Sequence, residues 1–367
     1  MNRKDFLKMC AILGIGVPAQ AALFGCNKDA HLSSDFDGKV IIIGGGPGGL
    51  SAAYFLHQYG VEFELLEATS QIGGRMKINK YFADFPIPLG AEWLETDVGV
   101  LKEMVNDASV QVDVKTVSDD PDYKFVNSSW FNFFETYIIP SITDKIKYDT
   151  VVESIDYESD KIIVKSKTDE HIADAVIVAV PLKVLQDGDI QFSPALPSEK
   201  TKAIGAADIW DGFKAFFEFK ENFYGDGHEF DITPKSDGEQ IYYNAAHGQK
   251  TDKNILGLFV VGKPVELYNS KSGDVLRDYI LQELDGLYNN KATTNYMQHI
   301  VQDWSKEPYV RSGYLSDHED WKLVKKLGTS VSNKIYFAGG AYTDGEDWVS
   351  VHVAAQSAKT AVEEIAK

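Results

Sequence analysis

The chain of 367 residues is long enough for two domains with a substantial core, and its 44% apolar and 25% charged residues suit an ordinary globular protein. A net charge of −19 leaves no basic stripe to neutralise phosphates, which excludes a nucleic-acid partner. The same acidic field would draw cationic substrates, amines among them, or would serve solubility alone.

The first element is a targeting segment. A basic start, Asn2 to Lys8, precedes the apolar run Met9 to Val17 and then a small-residue zone ending at Cys26. This pattern reads as an export signal over residues 1–25, too short to span a bilayer, followed by a polar tether over 26–38. Leu23-Phe-Gly-Cys26 resembles a bacterial lipobox, which implies lipidation of Cys26 and a periplasmic protein of the cell envelope, touching the membrane only through that anchor. Arg3-Lys-Asp-Phe-Leu-Lys8 resembles a twin-arginine signal with lysine in place of the second arginine, so the export route stays open. Loss of residues 1–25 would bring the net charge to −21. Cys10 and Cys26 are the only cysteines, so the rest of the chain has no disulfide, thiol nucleophile or thiolate metal site. No metal-ligating constellation is expected elsewhere.

Val40 to Ile43 reads as a buried strand, and Gly44, Gly46 and Gly49 follow with G-x-G-x-x-G spacing. The first glycine makes the tight turn, the second lets backbone amides touch a pyrophosphate, and the third brings helix and strand close. Pro47 and Gly48 lie at the start of the helix, whose unpaired N–H groups favour phosphate. A second strand, Glu62 to Leu66, ends in Glu67, placed to accept from ribose hydroxyls. At this point the dinucleotide could be NAD or FAD.

Ala68 follows, and then Gly73-Gly74-Arg75-Met76, where Gly74 brings backbone beside phosphates and Arg75 offers a planar donor fork. Next comes Gly90-Ala91-Glu92-Trp93. Strand, GxGxxG, helix, strand and Glu, then G-G-R-M, then L-G-A-E-W, together resemble the flavin-dependent amine oxidase family. The resemblance implies non-nicotinamide chemistry on FAD. It places Gly74 and Arg75 along the phosphates and flavin edge, and Gly90, Ala91, Glu92 and Trp93 against the isoalloxazine, with Ala68 also among the cofactor-binding residues.

Asp97 to Val114 mixes helical periodicity with charge, and Asn127 to Ile142 reads as an aromatic-rich helix. Ile146 to Ile155 and Lys161 to Lys165 read as a hairpin, and Ala175 to Val180 as a buried strand stopped by Pro181. By resemblance, Val152 would pair its backbone with the adenine. Gly212 to Tyr224 alternates as a half-buried strand. The family has a lysine in this strand that holds a water beside flavin N5, which implies Lys214 as the catalytic residue, with Lys220 as competitor. Asn254 to Gly262 reads as another strand and Lys271 to Tyr288 as an amphipathic helix.

Asp303-Trp304-Ser-Lys-Glu-Pro-Tyr309 resembles a family segment near the flavin, which makes Trp304, like Trp348, an expected wall of the flavin or substrate site. The strand Lys334 to Ala341 and a closing helix from Trp348 to Ala366 match the family's C-terminal flavin elements. Gly339, Gly340 and the Val351 N–H are thereby implied in FAD binding. Gly340 stands where the family has an acid, and no cysteine follows it, so a thioether-linked flavin is excluded and FAD is expected to be non-covalent.

The expected fold is α/β plus α+β. A discontinuous Rossmann-like FAD domain (39–95, 143–190 and 325–367) is interleaved with a reduced substrate domain on a mixed sheet and helices (96–142 and 191–324). The expected activity is oxidation of an amine or amino acid by hydride transfer from a C–N bond to FAD, with oxygen or another acceptor reoxidising it. Desaturation of a lipid-like substrate, or a non-catalytic FAD-binding envelope lipoprotein, are the alternatives.

Overall fold

The computed structural model describes residues 32–117, 122–225, 230–231, 238–316, 321–343 and 349–367. Its central sheet has five parallel strands in the order Ile335–Phe337, Ala175–Val178, Lys39–Ile43, Glu62–Leu66 and Ile146–Lys147. From Val40 to Ile43 the middle strand is apolar because both of its faces are covered. Val40 and Ile42 pack with the helices Pro47–Tyr59 and Val351–Ile365, while Ile41 and Ile43 pack with the opposite layer. Pro47 starts the first helix with a pre-set φ, and Gly60, at φ 70°, ends it in the left-handed region. This is a Rossmann-like sheet assembled from three separate stretches of chain.

A four-stranded sheet, Glu170–Ala173, Ile162–Ser166, Val152–Asp156 and Gln191–Ser193, lies beside it in sequence. The hairpin is as the sequence predicts, but Ile146 to Ile155 is not one strand. Ile146–Lys147 joins the parallel sheet, and the chain then turns at Asp149, φ 53°, before Val152 enters the second sheet. Backbone hydrogen bonds from Asp149 to Thr69 and from Thr150 to Glu67 fix that turn.

The remaining large sheet is antiparallel: Phe230–Asp231, Gly238–Asn244, Asn254–Gly262, Gly212–Phe219 and Tyr296–Asp303. Gly212–Phe219 is buried at every residue, not on alternate ones as the sequence pattern suggests. Helix Gly273–Leu287 covers one face through Leu276, Ile280 and Leu284, and the turn carrying Phe82, Phe85 and Ile87 covers the other. Between Asp97 and Val114 only Val100–Val105 is helical, ended by Asn106 at φ 51°. The aromatic helix is Trp130–Tyr137, capped by Ser129, whose side chain accepts from the Asn132 N–H. Trp93–Leu94, Tyr123–Phe125 and Val114–Thr116 form a small sheet that places Lys124 directly opposite Trp93.

Candidate functional site

A cavity of about 1150 Å³ runs along the C-terminal ends of the parallel strands, where open α/β sheets bind ligands. The glycine loop forms one wall. Gly44 has φ +104°, and a Cβ on Gly49 would sit 1.9 Å from the Gly44 carbonyl oxygen. A Cβ on Gly46 would meet nothing within 4 Å, so its backbone faces open space. Turn, open approach and close packing are thus the roles the spacing predicts. Gly46, Pro47 and Gly48 line the cavity at the helix N-terminus, which is a favourable place for phosphate.

Glu67 follows the second strand and also lines the cavity. Its carboxylate is aimed by the Gly45 N–H at 2.7 Å and the Thr69 N–H at 2.9 Å, with the Thr69 hydroxyl also at 2.9 Å. Ala68, Gly74, Arg75, Val152, Gly339 and Gly340 complete the expected residues found on the wall. Arg75 donates to the Gly313 carbonyl, which ties the G-G-R turn to the segment after Trp304. Trp304 lines the cavity and is 4% exposed, held by an indole N–H bond to the Leu89 carbonyl at 2.9 Å.

Other expected residues lie elsewhere. Gly90 packs behind the wall, since a Cβ there would come within 1.9 Å of the Arg75 carbonyl oxygen and 2.9 Å of Trp304. Ala91 donates its N–H to the same Arg75 oxygen at 2.8 Å. Trp93 packs edge-on against Tyr243 and Phe259, with centroids 5.2 and 5.5 Å apart. Val351 is a buried first residue of the closing helix, whose cap is Ser350, and it is not part of the cavity wall. Trp348 and Cys26 lie outside the described residues.

Lys214 is not an open cation at the cavity wall. Its ammonium lies 2.7 Å from Glu92 Oε2 and donates to the carbonyls of Gly90 at 3.1 Å and Pro88 at 3.2 Å. Burial pushes its pKa down, and Glu92 opposes that shift. Burial alone would raise the Glu92 pKa, but Lys214 and Lys124 outweigh it and hold the carboxyl at about 2. Lys220, the competitor, is exposed and donates to the Thr294 carbonyl at 3.4 Å.

Sequence reasoning missed several residues. Lys77 and Glu307 both line the cavity and form an ion pair across it at 3.0 Å, while the Gln302 amide donates to Glu307 at 2.7 Å. Lys77 stands two residues after Arg75, which was an available signal. Tyr342 lines the cavity and donates to the Val180 carbonyl at 2.8 Å, and burial pushes its phenol pKa up. Lys124 and Tyr243, both on Glu92, had no signal in the sequence.

These residues fit a dinucleotide. Among the described residues, four carboxylates and five cationic side chains line the cavity, so in a chain of net charge −19 this part of its wall is not acidic and tolerates a pyrophosphate. The open Gly46 backbone, the helix N-terminus and the aimed Glu67 carboxylate supply the phosphate and ribose contacts.

Comparison with known proteins gives concordant results. Residues 137–366 match the flavin-containing amine oxidoreductase family, and residues 42–108 match an NAD(P)-binding Rossmann-like domain. Lysine-specific histone demethylase 1B of Mus musculus is 23% identical over 412 residues, covering 83% of this chain and 50% of that protein. Polyamine oxidase 1 of Zea mays is 25% identical over 230 residues, covering 56% of this chain and 45% of the relative. The chain therefore spans about half the length of these relatives. A solved putrescine oxidase variant with a redesigned cofactor site superposes with a TM-score of 0.74 at 15% identity, covering 89% of this chain and 98% of that one.

Proposed function

The chain belongs to the flavin-containing amine oxidoreductase family, and from that premise we propose that it is an FAD-dependent enzyme oxidising the C–N bond of an amine or amino acid. The observation that carries the reading is that one continuous cavity joins the glycine loop and Glu67 to Trp304. FAD, held there without a covalent link by the glycine loop, Glu67 and the Arg75–Trp304 wall, would supply two-electron redox chemistry for hydride removal from the substrate C–N carbon. The chain's own residues bind and orient. Glu67 would accept from the ribose hydroxyls, and the first-turn N–H groups after Gly46 would meet the phosphates. Trp304, pinned to Leu89, gives the cavity a rigid aromatic wall. Lys214 holds the Pro88 and Gly90 carbonyls and so fixes the strap behind that wall. The polyamine and putrescine oxidases among the similar proteins favour an amine substrate over a lipid-like one.

The test is anaerobic mixing of the purified yellow protein with a panel of amines and amino acids. Bleaching of the flavin by any of them supports the reading, and a flavin that none of them bleaches removes it. Oxygen or another acceptor would then reoxidise the protein, and oxygen uptake with peroxide release tells which. We also propose a lipid anchor at Cys26 that holds the protein in the bacterial envelope. A Cys26→Ala protein that remained membrane-bound would refute the anchor.

A further inference from the structure

Behind the wall formed by Arg75 and Trp304 the buried charges of the described residues do not balance. One carboxylate, Glu92, is shared by two ammonium groups, with Oε2 2.7 Å from Lys214 Nζ and Oε1 3.0 Å from Lys124 Nζ. The three side chains are only 2–5% exposed. Tyr243 donates its hydroxyl to Glu92 Oε2 at 2.5 Å, and burial keeps that phenol neutral by pushing its pKa up. Lys124 gives a further hydrogen bond to the Ala245 carbonyl at 2.9 Å. Two cations thus face one anion where water is excluded.

A buried charge without a counter-ion costs several kcal/mol. The faces of Trp93 and Tyr243, 5.0 and 5.7 Å from the Lys214 ammonium, recover part of that cost. They do not cancel the charge. The surplus lies one strap from the cavity, because Lys214 holds the Gly90 carbonyl and Gly90 packs directly on Arg75 and Trp304. An anion arriving in that part of the cavity would complete the pairing.

We infer that Lys124, acting through Glu92, gives this cluster a net positive charge that makes the protein bind FAD more tightly after two-electron reduction than before it. The inference rests on the flavin reading given above. Oxidation of the substrate C–N bond to an imine releases two electrons and two protons. Both electrons and one proton enter the neutral oxidised ring and leave it with one negative charge, and the second proton leaves to solvent. That charge is the missing counter-ion. Without Lys124, Lys214 and Glu92 would cancel in net charge, and the cluster would respond much less to reduction. Lys124 touches neither substrate nor cofactor, so it is a positioning residue for charge.

The test is the midpoint potential of the FAD-loaded protein in four forms: wild type, Lys124→Gln, Lys124→Arg and Glu92→Gln. Lys124→Gln keeps a donor for the Ala245 carbonyl and loses the charge, so its potential should fall. A tenfold weaker preference for reduced FAD corresponds to a fall of about 30 mV for a two-electron couple. Lys124→Arg should hold the wild-type value, and Glu92→Gln should shift it upward. Equal potentials in Lys124→Gln and wild type, or shifts of one sign in Lys124→Gln and Glu92→Gln, would overturn the inference. If Glu92→Gln fails to fold, the Gln and Arg forms of position 124 decide it by themselves. A wild-type protein that takes up no FAD would instead refute the flavin reading.

Discussion

A methyl group on Gly49 would lie 1.9 Å from the Gly44 carbonyl oxygen, whereas one on Gly46 would meet nothing within 4 Å. The two glycines therefore fail in different ways. Gly49→Ala should force the first helix off the sheet and cost about 3 kcal/mol, at the upper end of core overpacking. Gly46→Ala should leave urea unfolding within about 0.5 kcal/mol, as an unhindered substitution does, and weaken FAD retention on gel filtration. The reverse ranking would show that the roles of the glycines are exchanged. These roles were legible because they depend on spacing within one turn of chain. Glu67 was legible for the same reason, since its place is fixed by the end of the second strand. The Lys214–Glu92–Lys124 cluster was not. Its members lie on three separate segments, and a lysine in a strand ordinarily reads as a solvent-facing residue.

The helices Ser198–Ala206 and Trp321–Gly328 are joined by Lys200, whose buried ammonium donates to the Leu327 and Thr329 carbonyls, both at 2.6 Å. It also sits 3.4 Å from the centroid of the Phe337 ring. Glu199 is turned outward to Lys326 at 2.8 Å and gives Lys200 no counter-ion. Burial brings the Lys200 pKa down from 10.5 to about 7. The folded state thus releases this proton first, and the unfolded chain binds more protons between those two values. Stability contributed by this residue should therefore rise with pH from about 7 to 10.5, by at most about 1.4 kcal/mol per pH unit. Thermal melts of wild type and Lys200→Met across that window check it, and the Met protein should have the flatter profile. Parallel profiles would show that the carbonyls and the Phe337 face hold the proton against burial. At this scale the sequence revealed the long strands and the amphipathic helix through their periodicity. It did not reveal the break at Asp149, where one left-handed residue moves the chain between sheets. Nor did it reveal the full burial of Gly212–Phe219, because the layer covering one of its faces is a turn more than 120 residues earlier.

At the scale of the whole molecule, the net charge of −19 contrasts with a cavity wall that has, among the described residues, five cationic and four acidic side chains. The far field and the wall therefore act on different partners. The wall suits the phosphates of the cofactor, and the acidic exterior acts on whatever arrives from solution. If that exterior steers an amine substrate, it acts on encounter and is screened by salt over a Debye length of about 10 Å at 0.1 M. For a cationic amine, kcat/KM should fall by about tenfold between ~0.01 M and ~0.3 M salt, within the range that steering gives. A neutral substrate analogue should show no such fall, and kcat should stay level for both. The measurement is steady-state kinetics in a non-binding salt, with flavin content checked at each ionic strength so that cofactor loss is not mistaken for lost steering. Equal salt responses for the charged and neutral substrates would mean that the acidic surface serves solubility alone.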